Sequence, residues 1–241
     1  MQVTKRDATT EDFSVEKIHK VVQWATKGIN GVSFSDIEMN ANLSLYDKIS
    51  TTEIHNVLIK SANDLISTST PNYQYVAARL LNMQLRKEVW GGDQEPDFLN
   101  FIRVNVDNGI YDPNLDKKWS DEQVDALGKY INHARDDNFT YSGFQQMIDK
   151  YLVKNRSTGK IYETPQFAYM LIAMSLFDNV NEVKKAYDCY STFKINLPTP
   201  IMAGVRTNIR QFSSCVLVDV DDNLDAIFSS VHAVGKYTAR R

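Results

Sequence analysis

The chain has 241 residues, of which 43% are hydrophobic and 24% are charged, a composition typical of a folded globular protein and not of a disordered one. The formal net charge is −3 with acidic and basic residues interspersed, which argues against a nucleic-acid-binding protein. No apolar run is long enough to span a bilayer, and the two cysteines form neither a disulfide framework nor a metal-binding pattern. We therefore expect a soluble protein of a reducing compartment, with no metal.

The first predicted elements are a short β-hairpin and a helix. Val3 and Phe13 flank a polar tip at residues 6–10. A tight hairpin prefers glycine after Asp7, because that position often needs a positive φ, and Ala8 is a weaker turn former. Apolar residues then recur at helical spacing over residues 15–29, which predicts an amphipathic helix.

Three helix starts are marked by capping signals. Ser50 with Glu53, and Ser120 with Gln123, match the capping-box pattern ahead of apolar-periodic segments. Thr164-Pro165 is a strong N-cap and first-turn pair, and it precedes a very apolar helix. The sequence therefore predicts helices beginning at each of these points.

The clearest break in the chain is Gly91-Gly92-Asp93, where we place a domain boundary. Residues 151–163 predict a hairpin, and the Leu197-Pro198-Thr199-Pro200 segment predicts an extended entry to a different region. Beyond it the pattern predicts a loop, a buried strand at residues 215–218, and a helix at about 223–237.

Basic and polar residues near the predicted hairpin tip and helix starts suit a polyphosphate, because helix N-termini add free N–H groups and a favourable dipole. The alternative of an ordinary solvated face carries more weight from the pattern alone, and no glycine-rich phosphate loop is present. The candidates are Lys5, Arg6, Glu11, Lys17, His19, Thr51, His55 and Lys87.

Cys215 is the stronger candidate for chemistry. Neighbouring Ser213, Ser214 and Arg210 are positioned in sequence to stabilise a thiolate, which is the reactive form. Composition alone favours an inert, buried cysteine instead. For Cys189, which lies among aromatic residues at helical spacing, we adopt the packing interpretation. A serine hydrolase is set aside because no Gly-x-Ser-x-Gly motif is present.

The segment "LPTPIMAGVRTNIRQFSSCVL" closely resembles the start of the catalytic barrel in class I ribonucleotide reductase large subunits. "VTKRD…EKIHKVVQWA", "STTEIHNVLIKSANDLI" and "PNYQYVAARLLNMQLRK" resemble that family's ATP-cone, and "YLVKNRSTGKIYETPQF" and "YSTFKINLPTP" resemble the helical region between them. The likeness covers essentially the whole chain and is greatest to the aerobic, diiron-partnered subclass of bacteria and phages. The sequence departs from the family at Ala8, where the cone hairpin commonly has glycine.

The resemblance implies a fold that is mainly α with small β elements (α+β). An ATP-cone helical bundle capped by a β-hairpin would occupy residues 1–91, and a helical region would occupy residues 92–196. Residues 197–241 would be the beginning of the ten-stranded α/β barrel. Because one strand cannot close a barrel, we expect a second polypeptide to supply the rest; the alternative is that this sequence is a shortened piece of a longer subunit.

The resemblance also implies site residues. Cys215 matches a redox-active cysteine, and Thr199, Ser213 and Ser214 match segments that bind the substrate diphosphate. Asp222, Asn223 and Leu224 match the start of the specificity-effector site. In the cone, the matching nucleotide-site residues are Lys5, Arg6, Glu11, Lys17, Thr51, His55 and Lys87.

The implied activity is reduction of ribonucleoside diphosphates for DNA synthesis, in a bacterial or infected-host cytoplasm. The implied effectors are ATP and deoxynucleotides, and the diiron-tyrosyl radical belongs to a small subunit. The other implied partners are a second large subunit, the complementary C-terminal part, and thioredoxin or glutaredoxin. We expect the chain alone to be inactive. The alternatives are a stand-alone ATP/dATP-sensing module and a non-functional remnant.

Overall fold

The computed structural model describes residues 1–42, 44–92, 94–209 and 211–239. Over these ranges the chain is mainly helical and its strands form one two-stranded sheet, which confirms the predicted α+β class. Asp93, part of the predicted break, lies outside the described residues. The strands are β1 (Gln2–Thr4) and β2 (Thr10–Asp12). The α-helices are α1 (Val15–Thr26), α2 (Phe34–Asn42), α3 (Thr51–Asp64), α4 (Tyr73–Trp90), α5 (Phe98–Asp107), α6 (Asn114–Lys118), α7 (Asp121–Gly128), α8 (Tyr141–Gln146), α9 (Pro165–Leu176), α10 (Val180–Ser191), α11 (Thr199–Gly204) and α12 (Leu224–Ala239). A 3₁₀ helix (His133–Asn138) precedes α8, and a π-helical turn (Met147–Tyr151) follows it.

The N-terminal hairpin forms as predicted, with β1 antiparallel to β2 and Val3 opposite Glu11. Its turn closes when the Ala8 N–H donates to the Lys5 carbonyl oxygen at 3.0 Å. Ala8 has a φ of +65°, so the predicted positive φ after Asp7 is confirmed. The left-handed conformation costs a residue with a Cβ about 1–2 kcal/mol, and the hairpin tolerates this cost without a glycine.

The first hydrophobic core lies between α1, α2, α3 and α4. Its buried members include Val22 of α1, Ile37 of α2, Leu58 of α3 and Leu80 of α4. Helix α3 begins with the predicted capping box, because the Ser50 hydroxyl accepts the Glu53 N–H at 3.0 Å and the Glu53 carboxylate accepts the Ser50 N–H at 3.0 Å. These reciprocal bonds fix the start of α3 beside the hairpin.

The second core is larger and surrounds α9, in which every residue from Pro165 to Met174 is buried. Pro165 occupies the first turn of α9 as predicted, although the Thr164 hydroxyl makes no capping bond. The capping box at Ser120 and Gln123 is confirmed at the start of α7. Helix α4 also contributes to this core, through Ala78 and Leu85.

The predicted hairpin at residues 151–163 forms only in part. One isolated antiparallel bridge joins Lys154 to Ile161, and Gly159 takes a φ of +76° in the turn between them. Tyr151 instead closes a π-helical turn. The segment is therefore a short loop attached to the end of a helix.

The prediction of a buried strand at residues 215–218 is wrong. These residues are irregular, and Cys215, Val216, Leu217 and Val218 are exposed, with Leu217 at 99%. A strand requires backbone hydrogen bonds to a neighbouring strand, and among the described residues none outside this segment forms a backbone–backbone hydrogen bond with residues 211–220. The helix predicted after this segment is confirmed as α12, which buries none of its described residues.

None of the helices in the described ranges combines the length and the apolar character needed to cross a bilayer.

Candidate functional site

The hairpin and helices α1, α3 and α4 enclose a cleft of about 200 Å³, here called the cone cleft. Its walls are mostly apolar, with Val3 of β1, Phe13 directly after β2 and Ile18 of α1 among the lining residues. Thr51 lies at the first position of α3, where backbone N–H groups have no partner within the helix. Five residues predicted for the nucleotide site line this cleft: Glu11, Lys17, Thr51, His55 and Lys87.

Lys5 and Arg6, which were predicted for the same site, do not line the cone cleft. Lys5 Nζ contacts the Glu11 carboxylate at 2.8 Å, and Lys17 Nζ contacts the other oxygen of Glu11 at 2.8 Å. The Lys17 and Lys5 hydrogen bonds lower the pKa of Glu11, and the Glu11 hydrogen bond raises the pKa of Lys5. Glu11 therefore holds two lysines at the mouth of the cleft, while Arg6 is exposed at the hairpin tip.

His55 is the most buried polar residue of the cone cleft, at 9% exposure. Its Nε2 lies 2.6 Å from the Leu80 carbonyl oxygen, so this nitrogen carries the proton and Nδ1 is an acceptor. Burial lowers the pKa of His55 despite the hydrogen bond to Leu80, and the positive charges of Lys87 and Arg6 lower it further. His55 is therefore a neutral group inside a positively charged cleft.

The lowered pKa of His55 predicts a loss of stability in acid. A histidine whose folded pKa is depressed favours the folded state above its unfolded pKa, and that contribution is lost as pH falls below about 6.5. We expect the free energy of unfolding to fall by up to about 1.4 kcal/mol per pH unit there. Urea unfolding at several pH values between pH 5 and pH 8 measures this change in the free energy of unfolding.

In the His55→Gln variant this part of the pH dependence should disappear. His232→Gln is the matched control, since His232 is exposed on α12. Equal slopes for the wild type and His55→Gln below pH 6.5 would contradict the assignment.

A second cleft of about 500 Å³, here called the basic cleft, lies between the π-helical turn, the 154–156 loop and α11. Of the residues predicted for substrate, Thr199 and Ser213 line it, whereas Ser214 and Cys215 do not. The structure adds three cations that were not among the predicted site residues: Lys150, Lys154 and Arg156. The sequence signal that could have identified them is the clustering of three cations within the stretch "DKYLVKNR" (residues 149–156).

The electrostatics of the basic cleft favour an anion. Lys154 is held in place because its Nζ donates to the Asp149 carbonyl oxygen at 2.8 Å. Lys150 and Arg156 are exposed, and neither forms an ion pair with the residues that the structure describes. Among the residues that the structure describes, Asp149 is the one acidic side chain that lines the cleft. The lining therefore carries a net positive charge.

Cys215 lies close in sequence to the basic cleft and is exposed as a free thiol. Within the described ranges neither Ser213 nor Ser214 donates a hydrogen bond to its sulfur, and Arg210, the other predicted neighbour, lies outside those ranges. The Ser213 carbonyl oxygen accepts from the Tyr237 hydroxyl at 2.9 Å, which links this segment to α12. Cys189 is half-buried and packs against the second core, as the sequence predicted.

The residues predicted for the effector site lie at the start of α12. The Asn223 side-chain oxygen accepts the Ala226 N–H at 2.8 Å and so caps the helix. A neighbouring cleft of about 310 Å³ is lined by Asp219, Asp221 and residues of α12, but not by Asp222, Asn223 or Leu224. The structure therefore does not bring these three residues into a common cleft.

Two known protein families match the parts of the chain that form the two clefts. Residues 1–88 match the family described as "ATP cone domain", which contains the whole cone cleft. Residues 137–210 match the family described as "Ribonucleotide reductase, all-alpha domain", which contains much of the basic cleft.

Comparison with individual proteins finds relatives that match this chain over almost its whole length. The chain is 45% identical to "Ribonucleoside-diphosphate reductase 1 subunit alpha" of Escherichia coli K12, over 99% of this chain and 32% of that protein. It is 45% identical to the subunit alpha of Haemophilus influenzae, over 100% of this chain and 33% of the relative. It is 42% identical to the "Ribonucleoside-diphosphate reductase subunit alpha" of Enterobacteria phage T4, over 100% of this chain and 32% of that protein.

The two matches in this order, an ATP cone and then the all-alpha domain, support a component of a ribonucleotide reductase. The chain is about 45% identical to the N-terminal part of class I ribonucleotide reductase alpha subunits. It spans about a third of the length of the relatives it matches.

Proposed function

We propose that this chain acts as the N-terminal part of a ribonucleoside-diphosphate reductase large subunit. In this proposal Cys215 supplies one of two redox thiols, and Thr199, Ser213 and Ser214 contact the substrate diphosphate. Residues 222–224 contribute to the specificity-effector site, and the cone cleft binds a regulatory ATP or deoxynucleotide. The remaining two thirds of the large subunit, whichever polypeptide carries it, supplies the closed barrel and the second thiol.

The observation that carries the proposal is the basic cleft. Thr199 and Ser213 come from different segments, yet they line one cleft together with Lys150, Lys154 and Arg156. Hydroxyl donors beside ammonium and guanidinium groups are the pattern that recognises a phosphate oxyanion. The match of residues 137–210 to the reductase all-alpha domain supports the same interpretation.

The chemistry explains why a thiol is needed next to this cleft. Replacing the 2′-hydroxyl of the sugar by hydrogen releases that hydroxyl as water and consumes two electrons and two protons. Two thiols supply both and become one disulfide, which thioredoxin or glutaredoxin then reduces. The small subunit's diiron-tyrosyl radical would start the sugar chemistry. The exposure of Cys215 supports its role, since a partner thiol and an external reductant must both reach it.

Reconstitution tests the proposal. The chain is combined with the barrel-completing part of the large subunit, the radical-bearing small subunit, thioredoxin and a ribonucleoside diphosphate. We expect deoxynucleotide formation from the complete mixture and none when this chain is omitted or assayed alone. Intact-mass analysis of the native large subunit shows whether one polypeptide or two carry it. Reduction in the absence of this chain would refute the proposal.

A second candidate function is a nucleotide-sensing module that regulates a partner without redox chemistry. The cone cleft favours it, because Lys17 and Lys87 line an apolar cleft next to the start of α3. This candidate predicts that loss of Cys215 has no effect on the regulated activity.

The cone cleft predicts a specific loss of nucleotide binding when Lys87 is neutralised. Lys87→Gln removes one positive charge from the cleft wall, and we expect the dissociation constant for ATP to rise about tenfold, the effect of one charge-assisted contact. Isothermal titration at two salt concentrations measures it. Lys20→Gln is the matched control, since Lys20 pairs with Glu16 on the exposed face of α1. If both variants bind ATP like the wild type, the cone cleft is not the nucleotide site.

A further inference from the structure

A fully buried ion pair lies directly behind the basic cleft. The side chains of Glu163 and Arg206 are both 0% exposed, and they meet in a two-pronged contact. Arg206 Nε lies 2.8 Å from one Glu163 oxygen and 3.1 Å from the other, and Arg206 Nη2 contacts the second oxygen as well. The two residues are far apart in sequence, so the pair joins distant segments.

The remaining bonds of Glu163 reach the loop wall of the cleft. Its carboxylate accepts the Val153 N–H at 2.7 Å and the Tyr111 hydroxyl at 2.9 Å. Tyr111 is fully buried, and burial raises its pKa well above the usual range, so its hydroxyl stays a donor. Val153 lines the basic cleft, and its position is therefore set by Glu163.

The remaining bonds of Arg206 reach the helical wall of the cleft. Its guanidinium donates from Nη1 to the Met202 carbonyl oxygen in α11 and from Nη2 to the Tyr151 carbonyl oxygen at 2.9 Å. Helix α11 carries Thr199 in its first turn. One guanidinium thus contacts the backbones of both walls of the basic cleft.

A buried ion pair is poor evidence for stability alone, because apolar residues of similar size often stabilise a core as well or better. What this pair adds is a fixed separation between Val153 and α11, since each partner bonds to the main chain of a cleft wall. Apolar side chains in its place would fill the volume but leave those main-chain groups without partners.

We propose that Glu163, Arg206 and Tyr111 are positioning residues for substrate binding, which hold Thr199 at its working distance from the loop wall of the basic cleft. This inference rests on the proposed role of Thr199 in contacting the substrate diphosphate. The network does not touch the substrate and acts through the two walls.

The test compares variants of the complete large subunit, assayed with its small subunit and thioredoxin. Glu163→Gln keeps the shape of the side chain but removes the charge that fixes Arg206. Tyr111→Phe removes one hydrogen bond and is the milder variant. For each variant, KM and kcat for the ribonucleoside diphosphate are measured together with the melting temperature.

Because the network positions groups that contact a non-reacting part of the substrate, we expect KM to rise and kcat to change little. KM should rise about tenfold in Glu163→Gln and by a smaller factor in Tyr111→Phe, the scale of a lost or misplaced hydrogen bond. If Glu163→Gln does not fold, Tyr111→Phe alone decides the result.

Two comparisons separate positioning from general destabilisation. Asp136→Asn breaks another buried ion pair, away from the basic cleft, and should lower the melting temperature without raising KM. In a Thr199→Val background, Glu163→Gln should still lower the melting temperature but should raise KM no further. An additive rise in KM, or a rise of the same size in Asp136→Asn, would overturn the inference.

The outcome for Thr199→Val alone distinguishes the two proposals. If this variant leaves KM unchanged, the proposed substrate role of Thr199 fails and the inference fails with it. If Thr199→Val raises KM while Glu163→Gln and Tyr111→Phe do not, the inference fails and the proposed function stands.

Discussion

Replacing Cys215 by alanine is expected to abolish thioredoxin-supported turnover in the reconstituted enzyme. Each turnover needs two electrons, and a single remaining thiol cannot form the intramolecular disulfide that delivers them. We expect steady-state deoxynucleotide formation to fall to the background of the assay, while ATP binding in the cone cleft stays at the wild-type level. Product formation with radiolabelled ribonucleoside diphosphate measures the loss.

Cys189→Ala provides the matched control for that measurement. Cys189 is the other cysteine of the chain, and it is half-buried on α10 against the second core. Its loss should leave turnover within a factor of about two, because removing a small buried group affects mainly stability. Full turnover in Cys215→Ala would refute the redox role and would favour the nucleotide-sensing module instead.

Replacing Asp136 by asparagine is expected to produce a large loss of stability for a conservative substitution. The side chain of Asp136 is 0% exposed, and its Oδ2 lies 2.8 Å from Arg86 Nη2. Its Oδ1 accepts from Gln166 Nε2 at 2.7 Å. Breaking a buried ion pair leaves an uncompensated charge, and because Arg86 is partly exposed we expect a loss of about 3 kcal/mol, the lower end of the usual range.

The same substitution should change the pH dependence of stability. Burial raises the pKa of Asp136 above its unfolded value, although Arg86 and Gln166 lower it in part. A carboxyl whose folded pKa is raised contributes stability below the unfolded pKa, and this contribution is lost as pH rises through the folded pKa. Asp136→Asn should remove that component.

Urea unfolding at several pH values measures both effects. Asp137→Asn is the matched control, because Asp137 is next to Asp136 in the sequence but its carboxylate is exposed. That carboxylate lies 3.9 Å from Arg79 Nε, at the limit of an ion pair. Equal unfolding free energies for the two variants would show that the buried pair contributes nothing specific.

The sequence predicted elements whose signals are local. The capping boxes at Ser50 and Ser120, and the positive φ of Ala8, depend on contacts within a few residues, and all three were confirmed. The strand at residues 215–218 failed because strand formation depends on a partner that the sequence pattern does not specify. A run of apolar residues indicates burial only where a neighbouring surface exists to cover it.

The candidate site was predictable to a different extent in each cleft. The family resemblance predicted Lys17, His55 and Lys87 as nucleotide-site residues, and the fold brings these three together in the cone cleft. Arg6 was predicted for the same site, but the fold places it at the exposed hairpin tip. The Glu163–Arg206 pair has no local signature, because its partners are separated by 43 residues and meet only after α9 and α11 pack together. The predicted domain boundary after Gly91 stays a prediction.

Helix α4 contributes side chains to both hydrophobic cores, with Leu80 in the first and Leu85 in the second. A cone transplanted onto an unrelated protein would therefore carry an apolar face with no surface to cover it, and the donor would keep an opening where α4 had been. For the same reason, a protease that cleaves after α4 should release no stable cone until the whole chain unfolds. The cone should thus be exchanged between enzymes together with the helices beside it.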